Sequence, residues 1–235
     1  MPESWAKVLI FLHPCKQDSS QARTVRITDA AITCVESAGK SHFYAILAYM
    51  KKIAIISPSV RQGRKSHRVA LWFRRYIEQN NLAETDIIDL AEYRFPLFDE
   101  RLKLQQNPMP EAVELAGRLR SADGIIIIAP EYNGGYPASL KNVIDLLTDE
   151  WRRKPVAIST VSDGPFGGTQ VITSLQFTLW KIGALTVPAM FPVPKVDAAF
   201  SKEGIPSDPE TYEKRTARFT GELLWCIEAR SRAND

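Results

Sequence analysis

The sequence is poor in the residues that metal sites and nucleophilic catalysis most often use. Three cysteines and three histidines are spread over 235 residues, and no two cysteines have CxxC spacing. His67 stands alone and the other two histidines lie far upstream. Neither a metal site nor a Ser-His-Asp arrangement therefore has obvious parts. We predict no metal and no catalytic side chain, and we expect unpaired thiols in the reducing cytoplasm.

Long apolar runs and clustered charge of one sign are also lacking. No run approaches the roughly 20 apolar residues of a membrane helix. The formal net charge is only +3, and no tract of Lys and Arg resembles a nucleic-acid site. Apolar residues make up 45% of the chain and charged residues 24%, which is typical of globular proteins. We therefore expect neither a membrane nor a nucleic-acid partner, and the mild basicity suits a phosphorylated ligand.

Residues 1–49 differ from the rest of the chain. Their short apolar stretches show no sustained helical or strand period. From Met50 the sequence MKKIAIISPS reads as a natural protein start followed by a buried strand. We predict that residues 1–49 are a weakly ordered extension or the product of an upstream start codon, and that residues 50–235 form the main domain.

Strand-like and helix-like patterns alternate five times in that domain. The predicted strands are Ile53–Ile56, Thr85–Leu90, Ile125–Ile128, Pro155–Val161 and Leu185–Met190. A helix is predicted from about Pro110 to Leu119 with Val113, Leu115 and Ala116 facing inward, and the final helix buries a stripe from Tyr212 to Ile227. This alternation predicts an α/β fold, a doubly wound five-stranded parallel sheet between two helical layers. The order 2-1-3-4-5 places the switch point between the first and third strands.

The loop after the first strand has the composition of a phosphate site. Ser57–Arg68 places hydroxyls and cations at a helix N-terminus, where free N–H groups and the helix dipole favour an anion. The candidate ligands are Ser59, Arg61, Ser66 and Arg68. Ser66 could equally be a helix N-cap. Arg64 and Lys65 are expected to be solvated surface charges.

The loop after the third strand suits a flat heteroaromatic ring. Glycines allow close backbone approach, and a tyrosine can stack on or edge such a ring. The candidates are Pro130, Glu131, Tyr132, Asn133 and Gly134. Taken alone, Glu131 and Asn133 could merely close a turn. Lys141 and Asp145 lie four apart on the following helix, and we expect them to pair with each other.

These residues carry a family resemblance. Pro130-Glu131-Tyr132-Asn133, followed by Pro137, Leu140-Lys141-Asn142 and Asp145, resembles the signature of the NADPH-dependent FMN reductase family. The first loop is similar to the family's GSxR…S phosphate loop, with Ser59, Arg61 and Ser66 at matching positions. Two residues depart from it: Pro58 replaces a usual glycine, which removes a backbone N–H, and Arg68 stands where many members have asparagine.

The resemblance implies further site residues. The segment after the fourth strand looks like the family's third flavin loop, which makes Ser162, Asp163, Gly164 and Gly167 candidates. An ordinary strand-to-helix turn could also account for Gly167 and Gly168. The long crossover before the third strand resembles a family region near the flavin and the subunit partner. Phe95 and Phe98 could therefore form a pocket wall or a dimer contact, or anchor the loop in the core.

The resemblance also implies an activity and a fold. It implies a flavodoxin-like fold and an FMN-dependent oxidoreductase with NADPH or NADH as electron donor and a ping-pong mechanism. The acceptor would be a quinone, an azo compound, a metal oxyanion or free flavin, and the assembly a homodimer or homotetramer. Because the cofactor carries the hydride chemistry, no catalytic side chain is needed. The alternatives are a flavodoxin-type electron carrier, which is typically acidic, and a binding domain for another phosphorylated ligand.

Overall fold

The chain divides into two compact units, Met1–Tyr49 and Met50–Asp235. The computed structural model describes residues 23–27, 30–37, 40–46 and 50–233. In the first unit, β1 (Arg23–Ile27), β2 (Ala30–Ser37) and β3 (Lys40–Ile46) form an antiparallel sheet in that order. The sequence pattern of residues 1–49 had not indicated these three strands. The remaining residues of this segment lie outside the described ranges. The expectation that residues 1–49 are weakly ordered therefore stays a prediction.

The second unit contains the predicted parallel sheet. Its strands are β4 (Lys52–Ser57), β5 (Glu84–Asp89), β6 (Gly124–Pro130), β7 (Pro155–Val161) and β8 (Leu185–Val193). All pairings are parallel, and the order β5-β4-β6-β7-β8 confirms the expected 2-1-3-4-5 arrangement. The last strand runs three residues beyond the predicted Met190. It includes Pro188 and Pro192, which an edge strand tolerates because half of its N–H groups need no partner in the sheet.

Helices cover both faces of this sheet. They are α1 (His67–Gln79), α2 (Pro110–Ser121), α3 (Ala138–Leu146), α4 (Val171–Lys181), the single turn α5 (Val196–Ala199) and α6 (Pro209–Arg232). Buried residues of α2, α3 and α4 form one core, and those of α1 and α6 form the other. This confirms the three-layer prediction. Among the described residues, no helix is both long enough and apolar enough to cross a bilayer.

One inward-facing residue was predicted wrongly. Val113 of α2 is 46% exposed. The buried stripe runs through Ala112, Leu115 and Leu119, which follow helical spacing, whereas Val113 lies about 100° away from Ala112 around the helix. In the final helix the predicted stripe from Tyr212 to Ile227 is buried as expected.

The central strand β6 explains why the sheet needs two helical layers. All seven of its residues are buried. Because side chains alternate along a strand, Ile125 and Ile127 enter the core under α2 to α4, while Ile126 and Ile128 enter the core under α1 and α6. A run of four isoleucines is therefore stable only in a strand that is covered on both faces.

A buried lysine lies at the amino ends of the parallel strands. Lys154, which precedes β7, is 4% exposed, and its Nζ donates to the carbonyls of Arg120, at 3.2 Å, and of Ala122, at the end of α2. Burial, together with the nearby charge of Arg230, lowers the pKa of Lys154 to about 8. The lysine thus satisfies free carbonyls at a helix C-terminus, at the cost of burying its own charge.

This environment predicts a specific pH dependence of stability. The ordinary pKa of the side chain, 10.5, applies to the unfolded chain. Between the two pKa values the unfolded chain binds more protons, so the lysine's contribution to stability rises with pH. The free energy of unfolding of the wild type, relative to Lys154→Met, should increase by about 2 kcal/mol between about pH 7.5 and 9.5. Urea denaturation at a series of pH values measures this difference, and a difference independent of pH would contradict the assignment.

Candidate functional site

The two loops predicted to form the site meet at the carboxyl edge of the sheet. They follow the adjacent strands β4 and β6, at the switch point of the strand order. The hydroxyls of Ser59 and Tyr132 are hydrogen-bonded at 2.5 Å, and the Arg61 guanidinium lies 5.5 Å from the centre of the Tyr132 ring. Ser139 of α3 donates to the Pro58 carbonyl at 2.5 Å. The structure thus joins the phosphate-type loop to the ring-type loop.

Ser66 provides an unpaired donor at the start of α1. It occupies the N-cap position, but its backbone is already helical, with φ −60° and ψ −27°, and its side chain makes no capping bond. The residue is 3% exposed, and its Oγ has no hydrogen-bond partner among the residues that the structure describes. A buried hydroxyl without a partner is costly unless a ligand satisfies it. The position at a helix N-terminus favours an anion as that ligand.

Arg64 is not the solvated surface charge that we expected. Its guanidinium donates two hydrogen bonds to the Asp89 carboxylate, and its Nη1 also donates to the Ser59 carbonyl at 2.8 Å. The side chains of Arg64 and Asp89 are only 20% and 8% exposed. The pair therefore ties the end of β5 to the backbone of the phosphate loop.

Two neighbouring cations bind acidic residues elsewhere in the fold. Lys65 is partly exposed and pairs with Asp163 at 3.1 Å and with Asp197 at 3.4 Å. Arg68 donates to Asp197 at 3.1 Å and to the Phe200 carbonyl at 2.9 Å. The Arg68 side chain therefore contacts Asp197 and Phe200 and makes no described hydrogen bond to the loop that holds Ser59. Its predicted contact with a phosphate remains a prediction.

The ring-type loop is a tight hairpin turn. The amide of Tyr132 donates to the Gly135 carbonyl at 2.8 Å, and the amide of Gly135 donates back at 3.1 Å. Between them Asn133 and Gly134 have φ of +52° and +79°, the pattern of a two-residue type I′ turn. The Glu131 amide donates to the Val161 carbonyl at 3.1 Å, which fixes the turn to β7. Asn133 thus closes the turn, and the turn holds Tyr132 against Ser59.

The third predicted loop packs closely against its own chain. Gly167 and Gly168 have positive φ; a Cβ on Gly167 would lie 2.9 Å from the Pro192 Cβ, and one on Gly168 would lie 2.9 Å from the Val161 carbonyl. The turn geometry therefore accounts for both glycines. The Ser162 amide donates to the Val193 carbonyl, and its Oγ donates to the Gly164 carbonyl, both at 3.1 Å. Asp163 joins this loop to the first loop through Lys65.

Two contacts of Asn142 were not predicted from the sequence. Asn142 of α3 donates to the Pro96 carbonyl at 2.8 Å and accepts from the Phe98 amide at 2.6 Å, so it clamps the long crossover to the helix that follows the hairpin. The position of Asn142 in the Leu140-Lys141-Asn142 part of the family motif is the sequence feature that could have indicated these contacts.

The two phenylalanines of the long crossover have different surroundings. Phe95 stacks on Tyr93 with ring centres 5.2 Å apart and packs on the core, which supports a role in anchoring the loop, whereas Phe98 is 39% exposed. Lys141 and Asp145 pair at 2.7 Å, as expected.

A Ser-His-Asp contact also forms, although the spacing of these residues in the sequence did not predict one. His67 Nδ1 lies 3.0 Å from the Ser57 Oγ and 3.5 Å from the Asp89 Oδ2. Burial lowers the pKa of His67, which favours the neutral ring. Ser57 is fully buried at the end of β4, so its hydroxyl is not accessible to a substrate. The contact therefore belongs to the support of the phosphate loop.

Sequence comparison places this chain in a known family. Residues 51–198 match the profile of the family described as NADPH-dependent FMN reductase. The chain belongs to the NADPH-dependent FMN reductase family. Its relatives include NAD(P)H-dependent FMN reductases of Schizosaccharomyces pombe, 29% identical over 62% of this chain and 74% of that protein, and of Saccharomyces cerevisiae, 33% identical over 54% and 73%. A quinone reductase of Escherichia coli is 42% identical over 39% of this chain and 51% of its own length.

Solved structures share the fold of this reductase-family domain. The flavoenzyme NAD(P)H:(acceptor) oxidoreductase FerB of Paracoccus denitrificans aligns with a TM-score of 0.64 at 23% identity, over 77% of this chain and 98% of FerB. An oxidoreductase of Corynebacterium diphtheriae aligns with a TM-score of 0.57 at 19% identity, over 77% and 99%. These likenesses establish the flavodoxin-like fold.

The residues at the switch point fit the family's cofactor. Family membership makes the chain a flavin oxidoreductase that uses FMN and NAD(P)H. The unpaired Ser66 hydroxyl supplies a donor for a phosphate at the start of α1, and the exposed Arg61 adds a positive charge in the same loop. The Tyr132 hairpin stands at the same edge, where a flat ring would lie. The donor set thus matches a phosphorylated, aromatic ligand.

Removing the unpaired hydroxyl tests this fit. Ser66→Ala breaks no hydrogen bond within the described chain, so the stability of the apoprotein should stay within about 0.5 kcal/mol of wild type. The Kd for FMN should rise about tenfold, because one hydrogen bond to a charged group is lost. The Kd for riboflavin, which lacks the phosphate, should not change. Flavin fluorescence quenching measures both constants, and equal weakening for the two ligands would show that Ser66 does not contact the phosphate.

Proposed function

We propose that the protein is an FMN-bound NAD(P)H:acceptor oxidoreductase that reduces small organic acceptors, with quinones and azo compounds as the first candidates. The observation that carries the proposal is the hydrogen bond between Ser59 and Tyr132, which unites the two signature loops beside the unpaired Ser66. Relatives named quinone reductase and NADPH azoreductase support this acceptor class. Metal oxyanions and free flavin remain further candidates.

The chain's own residues bind and orient the cofactor. We assign the phosphate to Ser59, Arg61 and Ser66, with Arg68 as a further candidate cation. The flavin ring lies beside the hairpin formed by Pro130, Glu131, Tyr132, Asn133 and Gly134. The third loop lines another side of the flavin site with Ser162, Asp163, Gly164 and Gly167. Bound FMN supplies the redox chemistry, which is hydride acceptance from the nicotinamide and electron delivery to the acceptor. No side chain is needed as a nucleophile.

The rigidity of the hairpin suits a protein that binds and orients FMN while the FMN carries the redox chemistry. A type I′ turn closed by two backbone hydrogen bonds has few accessible conformations, so Tyr132 is held in place before the ligand arrives. Preorganised contacts of this kind raise affinity by lowering the ordering cost of binding. Either hydroxyl can be the donor in the bond between Ser59 and Tyr132. With Tyr132 as the donor, the Ser59 hydroxyl can donate to a phosphate and keep its bond to Tyr132.

The reductive half-reaction tests the proposed activity. FMN-loaded protein is mixed anaerobically with NADPH and, separately, with NADH, and flavin absorbance is followed by stopped flow. We expect rapid bleaching with at least one donor, followed by recovery of the oxidised spectrum when a quinone or an azo dye is added. Lys154→Met, altered at the opposite edge of the sheet, serves as a control and should bleach like wild type. A flavin that stays oxidised with both donors would indicate an electron carrier instead.

We further propose that the protein is a homo-oligomer and that α4 faces the second copy. Phe177 and Trp180 are 62% and 66% exposed, and their ring centres lie 5.7 Å apart. An exposed aromatic pair on a helix is typical of an interface. Because α4 follows the third loop, an interface there would lie next to the site. This agrees with the dimers or tetramers that the resemblance implies.

Two exposed tryptophans on opposite faces of the sheet provide a matched test. Trp180→Ser on α4 should shift the protein to a smaller species in light scattering coupled to size exclusion. Trp225→Ser on α6, where the tryptophan is 67% exposed, should leave the mass unchanged. The opposite pattern would place the interface on the α6 face. A wild-type protein with the mass of one chain would refute the oligomer.

A cytoplasmic location and the status of residues 1–49 also remain proposals. The match to the family begins at residue 51, which supports residues 50–235 as the catalytic domain. Mass determination of the native protein's N-terminus tests the start-codon proposal. A mass that begins at Met1 would refute it.

A further inference from the structure

Asp89 lies at the point where the edge strand meets the phosphate loop. It is the last residue of β5, it is 5% exposed, and it pairs in register with Ser57, from which the phosphate loop departs. Its carboxylate accepts two hydrogen bonds from Arg64 and one from the Ala91 amide at 3.0 Å. These bonds fix the carboxylate in one orientation.

Arg64 connects the fixed Asp89 carboxylate to the phosphate loop. Besides its two bonds to Asp89, its Nη1 donates to the Ser59 carbonyl at 2.8 Å. Lys65, at the far end of the loop, pairs with Asp163 and Asp197, whereas near Ser59 the proline Pro58 has no N–H to donate. The described contacts that hold the Ser59 end are therefore the Arg64 bond, the Ser139 bond to Pro58 and the bond to Tyr132.

We propose that Asp89 is a positioning residue for the FMN phosphate: it contacts no ligand itself, but holds Arg64 and, through it, the Ser59 segment of the phosphate loop. The inference rests on the proposed FMN site. A fixed loop binds a phosphate more tightly than a mobile one, because less conformational entropy is lost on binding. Asp89 thus acts on affinity through preorganisation.

The charge state of Asp89 suits this role. Burial raises its pKa, but the Arg64 guanidinium and the Ala91 amide outweigh burial and hold the pKa below its usual value. His67 Nδ1 lies 3.5 Å from the Asp89 carboxylate; burial lowers the pKa of His67, the charges of Arg64 and Arg74 lower it further, and those of Asp89 and Glu92 oppose this. At neutral pH Asp89 is therefore ionised, and the charged pair with Arg64 is formed before FMN binds.

The test compares FMN with riboflavin, because only FMN carries the phosphate. Asp89→Asn and Arg64→Gln are made singly and together in the full chain, and the Kd of each apoprotein for both flavins is measured by fluorescence quenching. Each single variant should raise the Kd for FMN about tenfold and change that for riboflavin less than about twofold. The double variant should be no worse than Arg64→Gln alone, because both substitutions break the same connection.

A second aspartate on the same strand provides the control. Asp86 pairs with Arg118 at 2.6 Å, with side-chain exposures of 21% and 24%, and Arg118 contacts Tyr93 and the Ile87 carbonyl instead of the phosphate loop. Asp86→Asn removes an equivalent ion pair and should leave the ratio of the two Kd values at its wild-type value. If Asp89→Asn does not fold, Arg64→Gln carries the test.

The outcomes separate this inference from the proposed function. If wild type binds neither flavin, the FMN proposal fails. If wild type binds FMN tightly and the Asp89 and Arg64 variants weaken both flavins equally, or if their effects on FMN simply add, the positioning role is wrong while the FMN site stands. Selective loss of FMN in both variants, but not in Asp86→Asn, supports it.

Discussion

The burial of β6 on both faces is the constraint on which the rest of this domain depends. Four consecutive isoleucines alternate between two cores, so helices must cover the sheet on each side. Right-handed crossovers then place α1 and α6 on one face and α2 to α4 on the other. The strand order reverses between β4 and β6, and the loops that leave these two strands meet at one edge. The site is thus a consequence of how a fully apolar strand is covered.

Local contacts turn this meeting of loops into a defined site. The hairpin at Asn133 and Gly134 holds Tyr132, which bonds Ser59, and Ser59 is held from behind through Arg64 and Asp89. Ser66 is left as the unpaired donor of this arrangement. Most polar groups around the loop are satisfied by the protein, so the loop is built before a ligand arrives. The unpaired Ser66 hydroxyl is a position within the described loop where a ligand would complete the hydrogen bonding.

The sequence predicted the parts of the fold that depend on local pattern. The isoleucine run, the alternation of elements and the spacing of signature residues were sufficient to place the sheet and both loops. The missed features are contacts across the chain: Arg64 meets Asp89 over 25 residues, and Asn142 meets Pro96 over 46. Nothing in the spacing of a charged residue indicates such a partner, so Arg64 looked like a surface charge. Val113 is the opposite case: it was predicted to be buried but is exposed. A single apolar residue beside a buried stripe does not show whether its own side chain faces the core.

The prolines of β8 determine where the sheet ends. This strand is the last in the order, and Pro188 and Pro192 can offer no N–H to a further strand. Another chain that added itself alongside would leave some of its own carbonyls unpaired, which makes edge-to-edge growth of the sheet unfavourable. The β8 edge of the sheet is therefore protected against pairing with a strand of another molecule.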